Sequence, residues 1–571
     1  MHFFLTMIEQ IGLRFSPFPE VDKFFYKKET EYLPAGLSLF LLEKIFYKNI
    51  SENLDYSTGL LKMSKPELQA KLEERLKGWR DLLPAGSWHW QQAETWPGRV
   101  ASEYASPPES REFGSCIRGR QLTDKELGRL AVQIGSDLQS VLRWAQLRVL
   151  KGWGEWIPGI RLEGQKWRCQ RCGETELEEW PGIGGNLVTC RSCASLGVSS
   201  SQQVLYRDKQ GLERKSETVS FYLQPALTSA QEEVSSQVLE FAGQTEEKEA
   251  LLWAACGAGK TEVCFPSAAW ALENGKSVLF AAPRQDVITD VAPRLQRNFP
   301  EQQIQILAGM IPLKYQKGNL VLATTHQILR FYRAFDLIFL DEMDAFPYQG
   351  NRMLEWGLQQ ALSPEGKIVY LTATPSEEGL RKNNHAGRNL FRLPARHHRY
   401  PLPVPQWLKF TYRPQKPGLN RKMEIQLREA VARGITLIFV PQISWVGPLV
   451  QYLELKFSHW RIAGSYSSDP DRKQKIEDLR QGKYSLFVCT SILERGVTIP
   501  NVQVVILAAD HPVFEKRSLI QMAGRAGRTK EYPDGLILLV SARKTAAVTG
   551  AINWIREQNY YAASLGLLDL L

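Results

Sequence analysis

From Leu251 onward the chain alternates short apolar runs with amphipathic stretches, and it does so twice. Leu251 to Ala255, Val278 to Ala282, Leu320 to Ala323, Leu337 to Leu340 and Ile368 to Leu371 make the first series. ITLIFV from Ile435, SLFVCT, VQVVILA and GLILLV make the second. Runs this short and this apolar fit strands buried on both faces, and the stretches between them are long enough for crossover helices. Each series therefore predicts a parallel sheet built from βαβ units. A Pro-rich passage, YPLPVPQW at Tyr400 to Trp407, separates the two series. The chain has 571 residues, beyond the roughly 250 to 300 at which one core stops growing, so two α/β lobes joined by a linker are expected. We place the lobes at 218–400 and 401–571.

Ahead of them the pattern changes. Residues 1–150 read as mixed and partly helical, without a catalytic motif. A helix is expected from Thr123, whose hydroxyl caps it while Glu126 completes a capping box, with Leu130, Val132, Ile134, Leu138, Val141 and Leu142 on its apolar side. Residues 151–203 are rich in Gly, Trp, Arg and paired Cys, the composition of a small module held by metal more than by a core. The polar stretch SSSQQVLYRDKQGLERKSE that follows reads as a hinge or hairpin.

Within the module, Cys169-x-x-Cys172 and Cys190-x-x-Cys193 are separated by seventeen residues, the spacing of a four-thiolate tetrahedral zinc site. Four thiolates leave no position open to water, so the expected Zn²⁺ is structural. Arg168, Arg171 and Arg191 alternate with these ligands and serve either to neutralise the metal centre or to touch a nucleic-acid phosphate. Trp153, Trp156, Trp167 and Trp180 either pack the module or stack unpaired bases, with packing favoured because so short a segment has little else to bury. Cys116, Cys256, Cys264 and Cys489 read as small buried apolar residues.

Cys256-Gly257-Ala258-Gly259-Lys260-Thr261 follows an apolar run and precedes a helical stretch, the context of a phosphate-binding loop. Glycine lets backbone N–H groups wrap a phosphate closely; Lys260 is placed to reach the β/γ-phosphates of ATP and Thr261 to offer its hydroxyl to Mg²⁺. The strict pattern asks for Gly where this chain has Ala254. The run Asp336 to Leu340 delivers Asp341 and Glu342 at its C-terminal end, where ligand sites of parallel sheets lie. Asp341 is expected at Mg²⁺ and Glu342 at the attacking water.

These motifs resemble those of superfamily 2 helicases. Gln231, in LTSAQ, resembles the glutamine that recognises adenine; Asp341-Glu342-Met343-Asp344 resembles the DExD box; Thr372-Ala373-Thr374 resembles the motif that links ATP state to DNA contact. Gln521-Met522-Ala523-Gly524-Arg525-Ala526-Gly527-Arg528 resembles Q-x-x-G-R-x-G-R. The resemblance implies that Arg525 and Arg528 reach across the cleft to the phosphates, and that Gly496 and Gln521 belong to the coupling motifs. It also implies strand contacts at Pro283, Arg284, Thr324, Thr325, His326, Thr490, Ser491 and Arg495, made to the backbone without reading sequence.

The four-Cys module ahead of LTSAQ, GAGKTE, DEMDAFPY, TATP, ILERGVT and QMAGRAGR resembles the ComFA family of late-competence proteins over about two thirds of the chain. What that family implies is a cytoplasmic, DNA-stimulated ATPase that pulls single-stranded DNA through a membrane channel, with an accessory cytosolic competence protein and other copies of itself as partners. The primosomal helicase family, PriA, shares several motifs but carries its zinc cysteines inside the second lobe. Two alternatives accompany this reading: a helicase that unwinds duplex DNA in replication restart, and a zinc-containing DNA-binding adaptor that does not hydrolyse ATP. A net charge of +10 suits a polyanionic partner. No stretch reaches the ~18 apolar residues of a membrane span, and MHFFLTMIEQIGLRF, with Glu9 and no cationic start, is a poor secretory signal. The expected location is the cytoplasm, at the inner face of the membrane only through partners.

Overall fold

The computed structural model describes residues 3–32, 54–55, 60–61, 70, 91–93, 110–164, 166–181, 187–212, 219–243, 246–309, 314–375, 389–415, 417–493 and 499–569. Two wholly parallel, RecA-like sheets dominate it. In the first lobe the strands run, across the sheet, Ile304–Leu307, Leu320–Thr324, Val278–Ala282, Phe335–Asp341, Leu362–Thr372, Glu249–Ala254 and Leu390–Leu393. In the second they run Gln406–Lys409, Ile537–Ser541, Val502–Leu507, Ile435–Phe439, Leu486–Cys489 and Ile462–Ser465. Strands such as Val278–Ala282, Leu486–Cys489 and Val502–Leu507 are buried at every position, because helices cover both faces of each sheet.

Register brings the chemistry to one rim. Trp253 pairs with Thr372, and Leu371 pairs with Asp341, so the strands leading to the Gly-rich loop, the TAT segment and the acidic pair end side by side.

Within the two lobes, the strands that the apolar runs did not reveal all lie at sheet edges: Ile304–Leu307, Leu390–Leu393, Gln406–Lys409 and Ile462–Ser465. Edge strands bury one face at most, so Ile304–Leu307 and Leu390–Leu393 alternate buried and half-buried positions and carry Gln305 and Arg392 within them. Gln406–Lys409 begins inside the Pro-rich passage and pairs with Ile537–Ser541, extending the second sheet.

Two expectations ahead of the lobes are corrected. The helix from Thr123 has its complete capping box but ends at Gln133, and Val132 is exposed. Gly135 turns the chain in the left-handed region, and Asp137 caps a second helix, Leu138–Leu150. The polar stretch from Ser199 holds, in its described part, a buried strand where a hinge or hairpin is expected: Val204–Asp208 is buried throughout, the central strand between Gln121–Thr123 and Gly154–Pro158, while residues 213–217 lie outside the described residues. Its polar residues are satisfied inside; Arg148 and Tyr206 both donate to Asp208, at 2.8 and 3.0 Å. Phe4–Ile8 and Gly12–Ser16 form an antiparallel pair against which this region packs. Among the described residues no helix is long and apolar enough to cross a membrane.

Candidate functional site

Two glycines shape the Cys256–Thr261 loop, the one expected to bind phosphate. Gly257 and Gly259 have φ of 82° and 87°, a region costly to any residue with a Cβ. Ala254, by contrast, is the last residue of its strand and pairs with Leu393 in extended conformation, so the loop has no conformational need of glycine there. After the loop, Lys260 and Thr261 lead into a short 3-10 turn, Glu262–Cys264, and the helix Phe265–Glu273. Gln231 braces the loop from the side: its amide donates to the Ala258 carbonyl at 2.8 Å and accepts from the Thr228 N–H at 2.9 Å.

Lys260 Nζ lies 2.9 Å from Asp341. Burial disfavours the charged lysine, but Asp341 and Glu342 outweigh it and hold its pKa above the ordinary value. Glu342 follows with φ 55°, left-handed without being glycine, and its N–H donates to the Asp341 carboxylate at 2.8 Å. Such strain persists only where surroundings impose it, and here it turns the Glu342 side chain into the cleft beside Asp341.

Lys260, Thr261, Asp341, Glu342, Gln231, Gln521, Arg525 and Arg528 all line one cavity of about 520 Å³ between the lobes. The structure thus brings together residues nearly three hundred positions apart. Gly257, Ala258 and Gly259 form its floor, and Arg528 donates to the Gly524 carbonyl at 2.9 Å. Cys256 Sγ donates to Gln521 Oε1 at 3.4 Å, tying the loop directly to the second lobe.

The wall also holds residues that the motifs did not single out. Arg294 bridges Glu262 at 2.5 Å and Asp290 at 2.7 Å, and these acids, against the effect of burial, raise its pKa. His397, from the linker, reaches the same cavity. No spacing rule marks them, since each contributes through a different helix or loop.

Asp344 lies three residues beyond Asp341 and is held by the TAT segment, whose Ala373 lines the same cavity. Thr372 and Thr374 donate their hydroxyls to its two carboxylate oxygens at 2.9 and 2.6 Å. Asp344 also lines a second inter-lobe cavity of about 300 Å³, with Arg284, Phe346, Ser491 and Arg517. Of the expected strand contacts, Arg284 and Ser491 therefore meet across the lobes. Pro283, Thr324, Thr325 and Thr490 have buried side chains, and Thr325 is only 1% exposed, so its hydroxyl faces inward. His326 is half-buried, and burial lowers its pKa. Arg495 and Gly496 lie outside the described residues.

Cys169, Cys172, Cys190 and Cys193 are all buried, and their sulfur atoms lie within 4.8 Å of one another. Sulfurs of Cys169 and Cys193 are 3.7 Å apart and those of Cys172 and Cys190 3.5 Å, far beyond a disulfide and close to the edge of a tetrahedron with ~2.3 Å metal–sulfur bonds. The donor set fits zinc. Arg171, between the ligands, is fully buried and donates to Glu126 at 2.8 and 2.9 Å; Arg330 of the first lobe donates to the same carboxylate at 2.9 Å. That pairing removes Arg171 from any nucleic-acid phosphate. Arg168 instead pairs with Glu163 and covers the Trp356 ring, while Arg191 pairs with Glu178 at the surface. Trp156 packs on Tyr206, Trp167 packs on the cysteine cluster, Trp153 lies under Arg148 and Lys151, and Trp180 is exposed.

Residues 224–377 match the family described as type III restriction enzyme, res subunit, and residues 421–530 match the helicase conserved C-terminal domain. The competence protein ComFA of Bacillus subtilis strain 168 is 34% identical over 470 residues, covering 81% of this chain and 98% of that protein. The protein of the same name from Streptococcus pneumoniae is 36% identical over 411 residues, covering 71% and 93%. The structure of S. cerevisiae Dbp5 bound to RNA and ADP BeF3 superposes with a TM-score of 0.44 at 17% identity, covering 59% of this chain and 88% of that one.

Proposed function

Because the chain belongs to the ComFA family of competence proteins, we propose that it is an ATPase that moves along single-stranded DNA and drives its import during natural transformation. It is a helicase-like enzyme by its two matched domains. The observation that carries the reading is the convergence of Lys260, Asp341, Glu342, Arg525 and Arg528 on one cavity.

In this reading Lys260 holds the β- and γ-phosphates in the Gly257–Gly259 cradle. The hydroxyl of Thr261 and the carboxylate of Asp341 are hard oxygen donors suited to Mg²⁺, which neutralises charge on the phosphates when bound. Glu342 orients the attacking water and accepts its proton. Arg525 and Arg528 stabilise charge on the transferring phosphoryl group, a contribution of about 10³ to 10⁵ in rate for arginine fingers. Loss of the γ-phosphate removes the charge that draws both arginines across the cleft, and the lobes separate. Asp344 passes that change to the neighbouring cavity through Thr372 and Thr374, where Arg284 and Ser491 hold the strand. The four cysteines hold a structural Zn²⁺ that fixes the knuckle against the first lobe. A membrane channel, an accessory cytosolic competence protein and further copies of the chain are its partners on the cytoplasmic side.

Replacing Lys260 with Ala tests this directly: hydrolysis falls at least about 100-fold while thermal unfolding is unchanged within a few degrees. A Lys260→Ala protein with normal DNA-stimulated turnover refutes it. Movement on single strands without efficient opening of forked duplexes separates import from replication restart, and robust fork unwinding tells against import.

A further inference from the structure

The segment between the strands Leu390–Leu393 and Gln406–Lys409, which joins the two sheets, contains a buried cation whose partners are all carbonyls. Arg396 is 2% exposed, and among the described residues no carboxylate pairs with it. Its Nε donates to the Cys256 carbonyl, in the phosphate loop, at 2.8 Å. Nη1 donates to the Ala526 carbonyl at 2.8 Å and also to the Gly527 carbonyl; Nη2 donates to the Gly524 carbonyl at 3.2 Å. One guanidinium thus holds the first-lobe loop with one edge and the second-lobe turn carrying Arg525 and Arg528 with the other.

Both loops approach it closely. A Cβ on Gly527 would lie 3.0 Å from Nη1, and one on Gly257 would lie 3.4 Å from Nε. His398, two residues on, contacts the Gly527 carbonyl at 3.0 Å and anchors the same turn. Burial without an acid is unfavourable for a cation, and burial together with the nearby Arg528 pushes the Arg396 pKa down to about 9. A surface tether would not need such a placement. Carbonyls of the 524–527 turn that donors hold in place leave the arginine side chains of that turn a fixed origin from which to reach a phosphate.

We propose that Arg396 is a positioning residue for hydrolysis, the clamp that sets the distance between the phosphate loop and the turn bearing Arg525 and Arg528. This rests on the reading of the cavity as the ATP site. Arg396 is not among the residues lining the larger cavity, so it acts through the two arginines that do line it.

Arg396→Gln and Arg396→Lys are compared with the wild type at saturating single-stranded DNA, with turnover counted per site titrated by a fluorescent ADP analogue. Glutamine cannot span both loops, so kcat per site falls at least about tenfold while ADP affinity stays within about threefold, and lysine recovers part of the loss. In an Arg528→Ala background the further loss from Arg396→Gln shrinks to about twofold or less, because both changes act on one contact. Unchanged kcat per site, or losses that multiply, overturn the proposal. A second measurement needs no turnover. The native cysteines are all buried, so labels at Glu273→Cys and Glu454→Cys, both exposed, report the inter-lobe distance by energy transfer with ADP and beryllium fluoride bound. Arg396→Gln lengthens that distance or broadens its distribution; identical distributions overturn the clamp. Should Arg396→Gln fail to fold, Arg396→Lys carries both readouts. A wild type without ATPase activity sinks the functional reading alone, and the distance measurement still decides Arg396.

Discussion

Cys256 and Gly524 meet across the two lobes with no space between them. A Cβ on Gly524 would lie 2.5 Å from the Cys256 Cβ and 2.9 Å from its sulfur, so even alanine forces the loops apart. Gly524→Ala is expected to lower kcat by about tenfold or more, since misplacement by ~1 Å is enough to cost that much, while ADP binding persists. An ADP-binding variant with full turnover contradicts this packing. A second residue sits far from the cleft. Glu126 is the shared acceptor of Arg171 and Arg330, and Glu126→Ala leaves two buried cations without their counter-charge, a loss of about 3 to 5 kcal/mol in urea unfolding. Burial raises the Glu126 pKa, but Arg171 and Arg330 outweigh it and hold it below the ordinary glutamate value. A depressed folded value means that the contribution is complete above the unfolded pKa and is lost as pH falls through the folded one. Stability of Glu126→Gln should therefore respond less to pH in that acid window than stability of the wild type; parallel curves count against the network.

Among the elements, the cysteine knuckle is continuous with the first lobe. Leu329 packs within the cluster formed by Ile160, Val188, Leu196 and the four cysteines, and Gly173 abuts the Trp356 ring. Gln121 donates to the Leu329 carbonyl at 3.0 Å, so the segment just after Thr325 and His326 is gripped by both the N-terminal region and the knuckle. Freshly purified protein is expected to carry about one equivalent of zinc, and Cys169→Ser to lose it together with hydrogen-exchange protection in residues 325–332. Elemental analysis without zinc, or unchanged protection, contradicts the coupling. Much of this scale was legible beforehand. The central strands, the Thr123 capping box and the two Cys pairs announce themselves through local composition and spacing. The helix break at Gly135 did not, because Leu138, Val141 and Leu142 continue an apolar pattern across it. The edge strands Ile304–Leu307 and Leu390–Leu393 alternate buried and half-buried positions, Val204–Asp208 hides a carboxylate whose counter-charge Arg148 lies 60 positions away, and Glu126 meets Arg330 across 204 positions of sequence. Arg396 carries no motif at all; its meaning lies in four carbonyls contributed by separate loops.

At the scale of the molecule, both lobes present their strand ends to one cleft, with Lys260, Asp341, Glu342, Arg525 and Arg528 in the larger cavity and Arg284 and Ser491 in the smaller. Arg472 of the second lobe also reaches Asp286 of the first at 2.6 Å, a half-exposed pair that opening must break. Such a pair contributes about 1 kcal/mol at most and is screened by salt, so it permits closure without locking it. Coupling then depends on what binds in each cavity. In the proposed cycle a strand in the smaller cavity promotes hydrolysis in the larger, through Asp344 and its two threonines. The most direct test of this coupling is the steady-state ATPase rate of the full chain with single-stranded DNA, duplex DNA and RNA side by side. The account predicts that single-stranded DNA raises kcat at least about tenfold above the rate without nucleic acid, and above the rate with duplex. Folded protein that turns over ATP at one rate with all three, and without them, would contradict it.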